Sequence, residues 1–180
     1  MTTRRQARHI PTDDSAAFAD LVRRYQGPVF GYLGRLGLSR ADAEEVAQEA
    51  FVRVWRNAER FDPARASLTT WLFTIVRNLA MNALVQPQRR HHLPIEVAGD
   101  VADEGPDPEQ ATVLAERKRI LRHALRRLPP ADCSVLALSY FRELDLAAIA
   151  RIEGCSEAAA KQRLYRARIA LRRLLENRHE

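Results

Sequence analysis

The last twenty positions hold the densest candidate chemistry in this chain. Seven basic residues, Lys161, Arg163, Arg166, Arg168, Arg172, Arg173 and Arg178, stand there against only two acids, Glu176 and Glu180. Lys and Arg neutralise phosphates and pair with guanine edges, while Gln pairs bidentately with adenine. A helix offering Lys161, Gln162, Tyr165 and Arg166 from its first turns therefore suits a DNA major groove. The plainer alternative is a solvated helix with its arginines in ion pairs, and the shortage of nearby carboxylates counts against it.

A second constellation is polar but not acidic. Thr70, Thr74, Asn78 and Asn82 recur at steps of four, flanked by Arg77, and no Asp or Glu occurs from Pro63 through Ile95, where Arg65, Arg77, Arg89 and Arg90 do. Hydroxyls and amides hydrogen-bond unstacked bases; Trp71 and Phe73 read either as core residues or as stacking surfaces. A third group places Asp42, Glu44, Glu45 and Glu49 ahead of Arg53 and Arg56, with Val46, Ala50, Val54 and Trp55 able to form an apolar stripe. That pattern fits a solvated face or, more sharply, a face that docks on another protein.

Catalytic chemistry is not evident. His9, His91, His92, His123 and His179 form no Ser/His/Asp or Cys/His arrangement, and no Gly-rich phosphate loop is present. Cys133 and Cys155 are too few for a disulfide framework and lack zinc-site spacing, which predicts two reduced thiols. The expectation is a protein that is not an enzyme and needs no cofactor and no metal.

The elements that must hold these residues are helical throughout, since helical periodicity dominates and strand alternation is absent. Helices are expected over about 14–35, with Gly27-Pro28 as a possible kink, over about 39–60 behind a Ser39/Asp42 capping box, and from about Ser67 onward, with Leu68, Trp71, Leu72, Ile75 and Leu79 as its buried stripe. Residues 87–110 are rich in Pro and Gly, and their second half carries Glu96, Asp100, Asp103, Glu104, Asp107 and Glu109 without a base, the composition of a flexible acidic linker. Helical pattern resumes at about Ala111 with Leu114, Leu121, Leu125 and Leu128 on one face. Short helices over 131–140 and 146–152, a Glu153-Gly154-Cys155 turn and the basic helix then have helix-turn-helix spacing, with Ile149, Ala150 and Leu164 packing it together. The fold class is therefore all-α: two small helical domains, 13–86 and 111–178, joined by the linker. With 46% hydrophobic and 29% charged residues, a net charge of +6, and the apolar stretch from Trp71 to Val85 interrupted by Arg77, Asn78 and Asn82, a cytoplasmic protein without a membrane span is expected.

Read jointly, Asp42-Ala-Glu-Glu-Val-Ala-Gln-Glu-Ala-Phe-Val-Arg-Val-Trp55, Phe61-Asp62-Pro63 and Trp71-Leu-Phe-Thr-Ile-Val-Arg-Asn78 resemble the N-terminal conserved domain of bacterial extracytoplasmic-function sigma factors of the sigma-70 family. Leu128-Pro129-Pro130, Val135-Leu-Ala-Leu138, Ile149-Ala150 and Lys161-Gln-Arg-Leu-Tyr-Arg-Ala-Arg168 resemble their C-terminal helix-turn-helix domain. The resemblance implies a transcription initiation subunit that binds core RNA polymerase and directs it to promoter DNA, held inactive by an anti-sigma factor. It implies polymerase contacts or their supports at Asp42, Glu45, Gln48, Glu49, Arg53 and Trp55. Capture of the melted −10 strand falls to Asp62, Arg65, Ser67, Thr70, Thr74, Arg77, Asn78 and Asn82. Engagement of the −35 duplex falls to Lys161, Gln162, Arg163, Tyr165, Arg166 and Arg168, and the acidic linker is implied to thread toward the RNA exit channel.

The chain departs from the family pattern where Asn82 and Val85 replace an Asp and an Arg, and where Ala148-Ile149-Ala150 and Ala158-Ala159-Ala160-Lys161 replace Glu-Ile-Ala and Gly-Thr-Val-Lys. Fewer polar contacts are expected at the entry to the recognition helix, and the resemblance implies an exposed Cys133, since the family usually has a charged residue there. Two other classes of function are a stand-alone helix-turn-helix regulator, which predicts duplex binding without polymerase, and a sigma-like adaptor that initiates nothing.

Overall fold

A computed structural model describes residues 15–85 and 108–177, with side chains of the second segment from Val113 onward. Helix α1 (Ser15–Arg35) runs through Gly27 and Pro28. It closes at Gly37, whose φ of 89° lies in the left-handed region that a side chain would strain. Helix α2 (Arg40–Arg56) starts as its sequence signal requires: the Ser39 hydroxyl accepts the Asp42 N–H at 3.1 Å and donates to the Asp42 carboxylate at 2.6 Å. It ends four residues earlier than expected, in a short 3-10 turn (Ala58–Arg60).

Helix α3 (Leu68–Val85) is capped by Ser67, whose hydroxyl accepts the Thr70 N–H at 3.1 Å. Its buried stripe is Leu72, Phe73, Val76, Ala80 and Ala83, rotated from the expected one; Leu68, Trp71, Ile75 and Leu79 are half-buried along its margin. The reason is that α3 packs on two sides, against α2 and against a helix of the C-terminal group, so its apolar girdle is wider than one stripe. Among the described residues α3 alone is long and apolar enough to cross a membrane, with a mean hydropathy of 1.2, and that composition here serves a helix packed on two sides in the core.

Helix α4 (Pro108–Arg126) begins at a proline expected to break helices, because the first-turn N–H that proline lacks has no intrahelical partner anyway. The rest of the expected linker lies outside the described residues. Ala124, Leu125 and Leu128 reach the core, whereas Leu114 is exposed. Helix α5 (Pro130–Leu136) continues as a π-helical segment (Ala137–Phe141). Asp145 caps α6 (Leu146–Glu153), accepting the Ala148 N–H at 2.7 Å; Gly154 ends it at φ 66°; Ser156 caps α7 (Glu157–Glu176), accepting the Ala159 N–H at 3.2 Å. All elements among the described residues are helical, in two groups, α1–α3 and α4–α7. The groups share one continuous core, with α3 against α6 and α1 against α4, α5 and the π-helical segment.

Candidate nucleic-acid and protein interfaces

The caps just described aim α7. Gly154 and the Ser156 cap turn the chain between α6 and α7, and Ile149, Ala150, Ile152, Ala160 and Ala167 fill the space between them, with Leu164 packed alongside. With that face buried, Lys161, Gln162, Tyr165, Arg166 and Arg168 are exposed, Tyr165 by 63%. Arg172 pairs with Glu176 at 2.7 Å, but among the described residues no carboxylate lies in ion-pair range of Lys161, Arg166 or Arg168. Five of the six residues expected to engage duplex DNA thus form one accessible, uncompensated basic surface. The sixth, Arg163, is turned inward onto Glu153 at 3.3 Å.

On the N-terminal group, Asp62, Arg65, Ser67, Asn78 and Asn82 are exposed and Thr74 is half-buried. Asp62 holds its loop by accepting the Ala64 N–H at 2.9 Å. Thr70 is a correction to the polar line: it is buried, with its hydroxyl 2.9 Å from that of Ser67. Its carbonyl accepts the Thr74 hydroxyl at 2.8 Å. Thr70 therefore builds the start of α3 and presents nothing to a ligand. Phe73 is fully buried, edge-on to Tyr32 at 5.5 Å, which removes it as a stacking surface; Trp71 is half-buried against Phe61 at 5.2 Å. Arg77 is drawn inward, bonding Glu153 at 3.1 Å, where its side chain is 20% exposed.

The acidic-to-basic helix α2 divides its residues between support and surface. Asp42 is buried in the helix cap and Trp55 is half-buried, edge-on to Phe18 at 4.7 Å. Glu45 and Gln48 are exposed, and Glu49 holds Arg53 at 2.6 Å. An apolar hollow of about 510 Å³ lies alongside, lined by Phe18, Val22, Gln48, Phe51, Val52 and Trp55. A second, of about 560 Å³, lies on the other group between the π-helical segment and α7, lined by residues including Tyr140, Tyr165, Ile169 and Leu175.

Three residues of consequence escaped sequence reasoning. Glu153, read there as part of a turn, has a side chain with no exposed surface; it accepts hydrogen bonds from Ser134, Arg77 and Arg163. Ser134 in turn lies 2.6 Å from the Tyr32 hydroxyl. Because the single Ser134 proton goes to the carboxylate, Tyr32 must donate to Ser134. Burial pushes the Tyr32 phenol well above its ordinary pKa, so it keeps the proton it donates. The signal for Glu153 was its place at four residues from Ile149, on the core-facing side of α6. Cys133 is a further correction. It is buried, its thiol donates to the Leu125 carbonyl at 2.9 Å, and burial pushes its pKa up to about 12, which removes the exposed, reactive thiol that redox sensing requires. Among the described residues no cluster of side chains could hold a metal ion.

Comparison with known proteins agrees with both groups. The Sigma-70 region 2 family matches residues 21–90, and the Sigma-70 region 4 family matches residues 118–171. The ECF RNA polymerase sigma factor SigW of Bacillus subtilis is 30% identical, covering 98% of both chains. The ECF RNA polymerase sigma factor RpoE of Cereibacter sphaeroides is 34% identical, covering 91% of this chain and 87% of its own. The fold is shared with CnrH in complex with the cytosolic domain of CnrY, at a TM-score of 0.67, 23% identity and 92% coverage of each chain. It is shared equally with the sigma factor RpoE in complex with the anti-sigma factor NepR from Bartonella quintana, at a TM-score of 0.67, 22% identity and coverage of 88% and 96%. An accessible basic recognition helix on one helical group, an acid-free polar helix on the other and full-length similarity to two curated sigma factors converge on one conclusion: the chain belongs to the extracytoplasmic-function RNA polymerase sigma factors of the sigma-70 family, which direct transcription to particular promoters.

Proposed function

We propose that this sigma factor divides its work between residues 13–86, which bind core polymerase and the melted −10 strand, and residues 111–178, which bind the −35 duplex. The observation that carries this reading is the uncompensated surface of Lys161, Gln162, Tyr165, Arg166 and Arg168, since duplex phosphates are the polyanion such a surface fits. On the first unit, Glu45, Gln48, Glu49 and Arg53 contact polymerase while Asp42 and Trp55 hold the helix that presents them. Asp62, Arg65, Ser67, Asn78 and Asn82, with Thr74 at their edge and Arg77 once released from Glu153, take the single strand through amides, hydroxyls and cations. The protein works in the cytoplasm, as an initiation factor without enzymatic activity, cofactor or metal.

An anti-sigma partner covers the two apolar hollows. Two structural neighbours carry a bound partner, the cytosolic domain of CnrY on CnrH and the anti-sigma factor NepR on RpoE. The hollow beside α2 adjoins the proposed polymerase face, so one partner can block both.

The test is transcription in vitro with bacterial core polymerase, this protein and a pool of genomic promoter fragments, with sequencing of transcript starts. Protein-dependent starts sharing two spaced upstream motifs are expected. Polymerase binding without starts would favour the adaptor, and duplex binding without polymerase the stand-alone regulator.

A further inference from the structure

The carboxylate of Glu153 ties together three helices of the second group. Glu153 ends α6; Ser134 of α5 donates to its Oε1, and Arg163 of α7 donates to its Oε2 at 3.3 Å. Arg77 of α3, from the first group, also reaches Oε2 at 3.1 Å, and Tyr32 of α1 stands behind Ser134 at 2.6 Å. The Ser134 and Arg163 bonds lie within α5–α7, so this tie needs nothing from the first group. Ser134 is fully buried and the Glu153 side chain has no exposed surface, whereas 31% of the Arg163 side chain remains exposed as it reaches in. Arg163 lies three residues after Ala160 and four before Ala167, which places it on the inward stripe of α7 and off the stripe of Lys161, Gln162, Tyr165 and Arg166. Over residues 157–167 the other side chains that are not exposed are the two fully buried methyl groups of Ala160 and Ala167 and the half-buried Leu164. Such contacts hold α7 against α6 but discriminate poorly among small rotations, because burial of apolar surface has no preferred direction. The Arg163 bond is charge-assisted and directional, and it ends on an acid that α5 also holds.

We propose that Glu153 and Arg163 are positioning residues for the recognition helix, a role that rests on the −35 assignment given above. The pair sets the rotation of α7, and through it the aim of Lys161, Gln162, Tyr165 and Arg166 at the −35 bases, while Arg163 itself touches no DNA. Arg163, which the family resemblance placed among the duplex contacts, thus works from the inner side of the helix. A buried ion pair is a weak source of stability compared with an apolar replacement, whereas selecting one arrangement among several of similar energy is a role it can fill. Bidentate contacts to base edges need both donor groups aligned with the base, but attraction to phosphates does not. A recognition helix that loses its fixed rotation therefore loses base discrimination while it keeps its general affinity for duplex.

The experiment measures holoenzyme binding to two labelled duplex fragments at several salt concentrations. The fragments differ only in the upstream motif shared by mapped transcript starts, intact in one and scrambled in the other. Contacts made by polymerase and by the first group, including any change at Arg77, are common to both fragments and cancel in the ratio of affinities. Arg163→Met keeps the aliphatic stem and removes the guanidinium. It is expected to lower the ratio on the order of tenfold, about the worth of one bidentate base contact, with the salt slope unchanged. Arg163→Lys, which keeps a cation beside Glu153, should hold the ratio within about threefold of the wild type. Glu153→Gln should lower it as Arg163→Met does; the Arg163 variants change a partly exposed side chain and carry the test even where Glu153→Gln fails to fold. A folded Arg163→Met protein with the wild-type ratio overturns the positioning role whatever Glu153→Gln does. A slope lowered by about 0.9, with equal loss of affinity on both fragments, makes Arg163 a phosphate contact and overturns it as well. Arg163→Lys as damaging as Arg163→Met overturns the part given to the ion pair. A wild-type ratio of one, seen before any variant is made, overturns the −35 assignment itself.

Discussion

Replacing Lys161 and Arg166 together by alanine should weaken duplex binding and also flatten its dependence on salt. Both residues are exposed on α7, and among the described residues neither has a carboxylate in ion-pair range, so each is available to displace a counterion from duplex phosphate. Each such contact contributes about 0.9 to the slope of log affinity against log salt, so the double variant loses about 1.8 of slope. Over a fourfold rise in salt, from about 50 to about 200 mM, the wild type should lose about twelvefold more affinity than the variant. Alanine keeps the helix, so the change is not one of folding. The assay is an anisotropy titration of the holoenzyme on a labelled duplex promoter fragment at several salt concentrations. Arg172→Ala is the control, since Glu176 already holds that guanidinium at 2.7 Å and its removal should alter the slope less. Parallel slopes for wild type and double variant, or an equal effect from Arg172→Ala, would refute the reasoning that uncompensated charge marks the duplex face.

Ser39→Ala should destabilise the protein by about 1 kcal/mol in urea unfolding, through loss of the hydroxyl that accepts the Asp42 N–H; an unchanged midpoint would show that the cap is dispensable. Phe73→Ala, at a fully buried ring edge-on to Tyr32, should cost about 3–5 kcal/mol by the same measurement, and a smaller loss would place the ring outside the core. The Cys133 thiol, pushed up to about 12 in the folded state from an ordinary 9.0, favours the folded form fully below pH 9. As pH rises from 9 toward 12 the unfolded chain ionises first and that stability is lost, by up to about 1.4 kcal/mol per unit; Cys133→Ala should flatten this decline. Ala159→Thr, at an exposed position in the first turn of α7, should extend the holoenzyme footprint near the −35 element, and absence of added protection would show that the alanines at the helix entry cost no contacts.

What could be read from the sequence was local. Ser39, Ser67 and Ser156 mark helix starts because each hydroxyl meets an N–H three residues on, and Gly154 marks a turn because only its φ of 66° needs a glycine there. The basic surface of α7 was legible because Lys161, Gln162, Tyr165, Arg166 and Arg168 carry almost no packing duty, so their residue types answer to the ligand alone. What failed was whatever depended on a second element. Periodicity in α3 cannot say that Val76 and Ala80 rather than Ile75 and Leu79 are central, because α2 and α6 cover it from two directions. Thr70 is buried by neighbours that its own helix does not show. Cys133 lies under the end of α4, where the Leu125 carbonyl accepts its thiol. The Arg77 and Arg163 side chains looked like free cations because their shared acid is far from Arg77 in sequence and precedes α7 by a turn.

That shared acid explains how two nucleic-acid-binding units can pack at all. The hairpin leading into α3 has no carboxylate of its own beyond Asp62, and α7 is dominated by cations, so bringing them together sets like charges against each other. Replacing a buried ion cluster with apolar residues of similar size is often neutral or stabilising, so packing strength alone is a weak reason for a charge in this seam. A carboxylate between two guanidiniums does something a leucine cannot: it compensates both cations where the two helical groups pack. While Glu153 is the best anion available to Arg77 and Arg163, the groups stay together.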